Sequence, residues 1–152
     1  MSTGAQVRLL PPAVYFGPFV LMWALHWWRP STIPGGVART VAGLVLVLTG
    51  IALTLWSVAT FRRAHTTVIP WEEVAAMVTT GPFRLSRNPI YLADAIAYLG
   101  CALLIASWWP LLILPVILVV MRRKVIDREE RYLSERFGDA YREYQLRARR
   151  WL

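Results

Sequence analysis

The sequence predicts an all-α integral membrane protein with about four transmembrane helices, a C-terminal helical hairpin and an amphipathic tail helix. Hydrophobic residues make up 57% of the 152, and eight of them are Trp. A soluble domain of that size cannot hide so much apolar surface, whereas a bilayer is a natural solvent for it. The apolar residues also fall into four runs, and nearly all of the charges lie between or beyond the runs rather than inside them.

The length suits one domain covering residues 1–152. A net charge of +8 on a soluble amphipathic surface would suggest a nucleic-acid partner. Here the charges flank apolar runs, so none is expected. The single Cys101 excludes an internal disulfide and a Cys-rich metal site. His65 and His26 have no ligand-spaced companions, so no metal is expected either.

The four spans are placed at about residues 13–28, 37–61, 90–107 and 108–120, with a tail over 121–152. The first is short for a full crossing, but Trp27 and Trp28 suit an interface. No A-x-A-like site follows it, so it reads as part of the mature chain rather than a signal peptide. The second is long enough to cross with tilt. Gly43 and Gly50, seven apart, give it a strip of small residues for close helix packing. Only Ser107-Trp108-Trp109-Pro110 separates the third from the fourth, which forces an antiparallel hairpin.

Orientation follows the positive charge. With four spans, one side receives Arg8, four arginines from Arg62 to Arg87, and ten Lys and Arg from Arg122 onward. The other side receives Arg29 and Arg39. Both termini, the long loop and the tail are therefore expected in the cytoplasm, across what the chain's brevity suggests is a bacterial inner membrane.

Chemistry concentrates on that loop and tail. Gly81-Pro82 signals a turn, and Pro89 can open the third helix at its first position. A helix N-terminus at a membrane surface offers free N–H groups and the positive end of a dipole, suited to a carboxylate. The competing reading has Arg84 and Arg87 holding lipid headgroups. In the tail, Arg122 to Phe137 reads as a helix capped by Gly138. Ile126, Leu133 and Phe137 share one face with Glu130 in its middle and Glu129 at its margin. A carboxylate in an apolar stripe is costly unless a cation meets it. That cation is either Arg122 or Arg123, one turn before, or a bound ligand. Asp94, one turn into the third span, is a functional candidate as an intramembrane acid, although a structural role beside water or an Arg is favoured.

Gly81-Pro82-Phe83-Arg84, followed by Arg87-Asn88-Pro89-Ile90-Tyr91, resembles the "G-P-[YF]-R … R-H-P-x-Y" box of the isoprenylcysteine carboxyl methyltransferase and phospholipid methyltransferase family. Glu129-Glu130, Leu133, Phe137-Gly138, Tyr141 and Tyr144 resemble its "E-E … L … F-G … Y … Y" box. Arg147-Ala148-Arg149-Arg150-Trp151 is similar to its "R-V-x-R-W" close, and Thr66 to Pro70 to a "G-T-x-x-x-P" element. The likeness covers roughly Phe61 to Leu152.

The resemblance implies a cytoplasm-facing S-adenosylmethionine pocket. Gly81, Asn88, Pro89, Ile90 and Tyr91 would line the cofactor, and Glu130 or Glu129 would meet its amino-acid moiety. Arg87 would sit between the cofactor carboxylate and the acceptor. The helix wheel favours Glu130 for the cofactor ammonium, with Glu129 in a secondary contact or an arginine pair. Arg87 and Glu130 are thus the catalytic candidates. The acceptor, a lipophilic molecule such as an isoprenylcysteine-type carboxylate or a phospholipid amine, would arrive sideways from the membrane lipids. Asn88 stands where His is usual, which removes imidazole chemistry, and His65 stands where Gly is common. A non-catalytic lipid-binding scaffold would retain the fold without needing Arg87, Pro89, Tyr91 and both glutamates together. A transporter subunit would show paired broken helices, which the sequence lacks.

Overall fold

The computed structural model describes residues 11–66 and 74–152. Arg8 of the charge split, and Thr67 to Pro70 of the loop element, lie outside the described residues. Four helices come first: α1 (Pro11–Trp28), α2 (Gly36–Arg63), α3 (Pro89–Leu104) and α4 (Trp108–Met121). A π-helical segment, Arg122–Ile126, joins α4 to α5 (Asp127–Phe137), and α6 (Asp139–Arg147) follows. Among the described residues no strand forms beyond two isolated bridges.

The small-residue strip on α2 forms the tightest helix contact. A Cβ on Gly43 would stand 2.9 Å from the Gly100 carbonyl oxygen, and one on Gly50 would stand 2.7 Å from that of Ala93. Rising numbers on α2 meet falling numbers on α3, so the two run antiparallel. Ser57, two turns beyond Gly50, is also fully buried. The large side chains of α2 do the opposite of what a soluble core requires: Val41, Leu44, Leu48, Ile51 and Leu55 are all exposed. A helix that buries Gly and Ser while turning Leu and Ile outward is built for close backbone packing in an apolar solvent. By length and composition α2 can cross a membrane, and α3 is a shorter apolar helix.

The third apolar segment ends earlier than its composition suggests, at Leu104 rather than Ser107. Ala106 adopts φ 58°, its N–H donates to Leu103, and the Ser107 N–H donates to Ala102. That pair of bonds is a Schellman motif with Ala in the position Gly usually takes. The hairpin link therefore consists of Ile105 to Ser107, and it pairs with the α1–α2 link. The Ile33 N–H donates to the Ala106 carbonyl at 2.8 Å and the Trp108 N–H to that of Ser31 at 3.1 Å. Trp109 Nε1 donates to the Arg29 carbonyl at 2.7 Å. Both links thus close one end of the bundle. The ends of α2 and α4 and the start of α3 meet the loop and tail at the other.

Two cores result. Tyr15, Tyr98, Ile117, Met121 and Val125 pack inside the bundle, and Phe83, Tyr141, Tyr144 and Ala148 fasten the loop to the tail. The tail, read from sequence as one helix from Arg122 to Phe137, is broken by its π segment. A π turn widens the helix by one residue and redirects everything after it. Val125 and Ile126 are fully buried there, while Arg122 and Arg123 are exposed.

Candidate active site

Between the two cores lies a cavity of about 450 Å³, within the range of small-molecule sites. Its walls include the run Arg87–Tyr91 at the start of α3, both glutamates of α5, and Thr54, Val58 and Phe61 from the last turns of α2. Seven of the eight residues singled out from the sequence therefore converge. Gly81 does not line the cavity. It turns the chain at φ 59° against α2, where a Cβ would meet Thr60 Oγ1 at 2.8 Å, so its place in the motif reflects backbone and close packing.

Pro89 opens α3 as expected. Asn88, just before it, does not cap the helix with its side chain. Its Nδ2 instead donates to the Arg150 carbonyl at 3.0 Å, and Ser86 Oγ donates to the same oxygen at 3.2 Å. The Arg87 N–H donates to the Arg149 carbonyl at 2.8 Å. The last residues thus form a strap along the loop that leads into α3.

The two glutamates have different partners. Glu130 is buried, as its place in the apolar stripe required, and cations meet it. They are not Arg122 or Arg123 but Arg87 and Arg150. Arg87 Nη2 lies 3.1 Å from Glu130 Oε1. Arg150 forms a fork, with Nε donating to Oε1 at 3.2 Å and Nη2 to Oε2 at 2.5 Å. Arg150 also reaches Asp127 at 3.2 Å, and the hydrogen bonds that it donates to Glu130 hold its guanidinium charged more firmly than usual. Glu129, expected in a secondary contact with the cofactor or in an arginine pair, accepts a 2.6 Å hydrogen bond from the Tyr91 hydroxyl. Burial, opposed by that hydrogen bond and aided by the Glu130 charge, pushes the Glu129 carboxyl up to about 7. Tertiary contacts from α3 and the strap, absent from any single-helix wheel, decide the protein partners of both glutamates.

Arg150 is the participant that sequence reasoning left outside the site. Its signal was the Arg149-Arg150-Trp151 ending, quoted as a likeness but given no role. Tyr144 is another, its hydroxyl donating to the Phe83 carbonyl at 2.7 Å and so tying α6 to the loop.

A sequence profile for phospholipid methyltransferases matches residues 38–140, and the chain belongs to that family. It is similar to a probable protein-S-isoprenylcysteine O-methyltransferase of Oryza sativa subsp. indica, with 34% identity over 106 residues, 67% of this chain and 54% of the rice protein. Protein-S-isoprenylcysteine O-methyltransferase A of Arabidopsis thaliana is 28% identical over 146 residues, covering 92% of this chain and 68% of the plant protein. An uncharacterized protein of Haemophilus influenzae is 42% identical over 63 residues, 41% of this chain and 79% of its own length. The chain thus spans about half the length of the rice protein it matches. No solved structure matches it.

Proposed function

We propose that this chain is an S-adenosylmethionine-dependent methyltransferase acting on a lipid-like acceptor held in the membrane, an isoprenylcysteine-type carboxylate or a phospholipid amine. The observation that carries the reading is the two-sided character of the cavity. One wall is charged and hydrogen-bonding, supplied by Arg87, Glu129 and Glu130, and the other is the apolar flank of α2. The charged wall suits the donor's amino-acid end and the apolar wall suits a lipid tail.

In this reading the donor carboxylate approaches Arg87 and the N-terminus of α3. Glu129, with no arginine of its own among the described residues, takes the donor ammonium, while the arginine-paired Glu130 holds Arg87 in place. Methyl transfer is an in-line displacement whose rate comes mainly from alignment and exclusion of water. Arg87, Glu129 and Glu130 then act by positioning rather than by bond-making.

Labelled methyl from S-adenosylmethionine should appear in extracted membrane lipids incubated with the purified protein, and its absence together with absent cofactor binding would leave a lipid-binding scaffold. The donor site has a sharper test. An ammonium beside Glu129 favours its ionised form, so S-adenosylhomocysteine binding should release a proton at pH 6–6.5, where the free carboxyl is largely neutral. Release should fade above pH 8, where Glu129 is already ionised, and the affinity should rise with pH through about 7 and then level off. Calorimetric titration in buffers of different ionisation enthalpy reads this directly. Glu129→Gln should abolish the proton release and weaken binding about ten- to a hundred-fold. Buffer-independent heats at pH 6–6.5 would remove Glu129 from the ammonium.

The same reading places four spans in a bacterial inner membrane, with both termini and the cavity in the cytoplasm. Reporter fusions after Arg63 and after Leu152 should both report cytoplasm. A periplasmic signal at either site would overturn the orientation.

A further inference from the structure

One acid in the cavity wall is left without a cation. Of the charged side chains that line the space, Arg87 and Glu130 neutralise each other, with Arg150 closing the pair. Glu129 is the acid assigned above to the donor ammonium. Asp94 remains. It lines the same cavity one turn beyond Tyr91 on α3. Among the described residues no Lys, Arg or His meets it, and the nearby hydroxyls of Tyr15 and Tyr91 donate elsewhere, to the Tyr91 carbonyl and to Glu129.

The depth of Asp94 matters as much as its isolation. The antiparallel contact sets the carbonyl of Ala93 against Gly50, which lies near the middle of the 28-residue α2. Asp94 is therefore level with the centre of the helix that can cross a membrane, whereas Arg87 and the glutamates stand nearer the mouth. An acid at that depth is retained where it meets a cation or a polar ligand. The donor offers a carboxylate and an ammonium at its amino-acid end, and Arg87 and Glu129 account for both.

We propose that Asp94 is the acceptor-side anion of the cavity, and that the methyl acceptor carries an ammonium head rather than a carboxylate. This rests on the donor reading given above. A carboxylate head would face Asp94 as a like charge in a poorly solvated space, and the one arginine of the wall is already engaged. A long-chain amine meets both demands, with its tail along the flank of α2 and its nitrogen at Asp94. The chemistry balances. The ammonium gives one proton to the Asp94 carboxylate, and the freed nitrogen lone pair forms the N–C bond as the S–C bond breaks. Sulfur leaves with the bonding pair as a neutral thioether. The positive charge passes to the methylated nitrogen, and the proton on Asp94 returns to water through the mouth.

Dodecylamine and dodecanoate share chain length and differ in head charge, so they isolate this preference. Binding of each, labelled, to the full chain in nanodiscs and corrected against empty discs should favour the amine by ten-fold or more. Asp94→Asn should erase that preference and leave S-adenosylhomocysteine affinity within two-fold of the parent, while Asp94→Glu should retain the preference. Labelled methyl should pass to dodecylamine and not to dodecanoate. Equal or tighter dodecanoate binding by the parent overturns the proposal, whatever the fate of the variants. So does an Asp94→Asn protein that keeps the amine preference. A variant that loses S-adenosylmethionine affinity ten-fold but keeps that for S-adenosylhomocysteine also overturns it, since Asp94 would then serve the donor sulfonium. Failure of the donor reading looks different: S-adenosylhomocysteine would not bind the parent at all, while an Asp94-dependent amine preference persisted.

Discussion

Glu130→Gln is expected to destabilise the protein by about 3–5 kcal/mol, the range for breaking a buried ion pair from one side. The reason is asymmetric. Arg150 keeps Asp127 at 3.2 Å when Glu130 is lost, but Arg87, whose side chain is only 12% exposed, loses its carboxylate at 3.1 Å. A glutamine amide in that position offers one carbonyl where two charged forks converge, and its NH2 group meets donors. Against the 5–15 kcal/mol that holds a typical fold, this is a large loss. The melting temperature should fall by roughly 10 °C, at about 2–4 °C per kcal/mol for a chain of this size. S-adenosylhomocysteine binding should be lost with it, because Arg87 is no longer held at the cavity. Asp127→Asn, at the more exposed end of the Arg150 network, should change little. Replacing both partners, Arg87→Met with Glu130→Leu, should recover much of the stability and none of the binding. Melting and ligand affinity of Glu130→Gln both at parental values would mean that this ion pair does not hold the site.

Gly50→Val strikes the bundle rather than the site and should be equally severe. The Cβ itself would lie 2.7 Å from the Ala93 carbonyl and 2.8 Å from the Ala97 Cβ, distances that only movement of a whole helix relieves. Overpacking costs about 1–3 kcal/mol where neighbours can shift, and a backbone carbonyl cannot shift alone, so the upper end or beyond applies. Separating α2 from α3 also displaces Arg87 to Asp94, which ride on the start of α3, and cofactor affinity should fall with stability. Leu48→Ala, on the outward face of the same helix, is the control and should be close to neutral in a bilayer. A Gly50→Val protein with parental melting would show that the two helices do not meet there.

The elements that depend on local pattern were legible from the residues alone. Apolar runs located the four long helices to within a few residues, Pro89 marked the start of α3, Gly138 marked the end of α5, and Gly43 with Gly50 marked the face of α2 that meets α3. The apolar stripe also identified Glu130 as buried and in need of a cation. What the pattern could not supply was the source of that cation. Arg150 is twenty residues further along the chain and Arg87 forty-three before, and no helix wheel relates them. The π segment at Arg122–Ile126, where Val125 and Ile126 are buried, was equally invisible, because its sequence suits an α-helix. The end of α3 at Leu104 was missed for a similar reason. Ala106 holds a left-handed conformation that Ala seldom takes, and the pairing with the α1–α2 link supports it there.

The strap has a consequence for how the site can be lost. Ser86 and Asn88 bind a carbonyl 64 and 62 residues away, while the long helices hold one another by contacts of their own, α2 to α3 at Gly43 and Gly50 and α1 to α4 in the core of Tyr15, Ile117 and Met121. The charged wall of the cavity is complete only when the strap lies beside the loop into α3, with Arg150 against Glu130. Agents that peel the strap away would therefore silence the cavity while leaving the helices where they are.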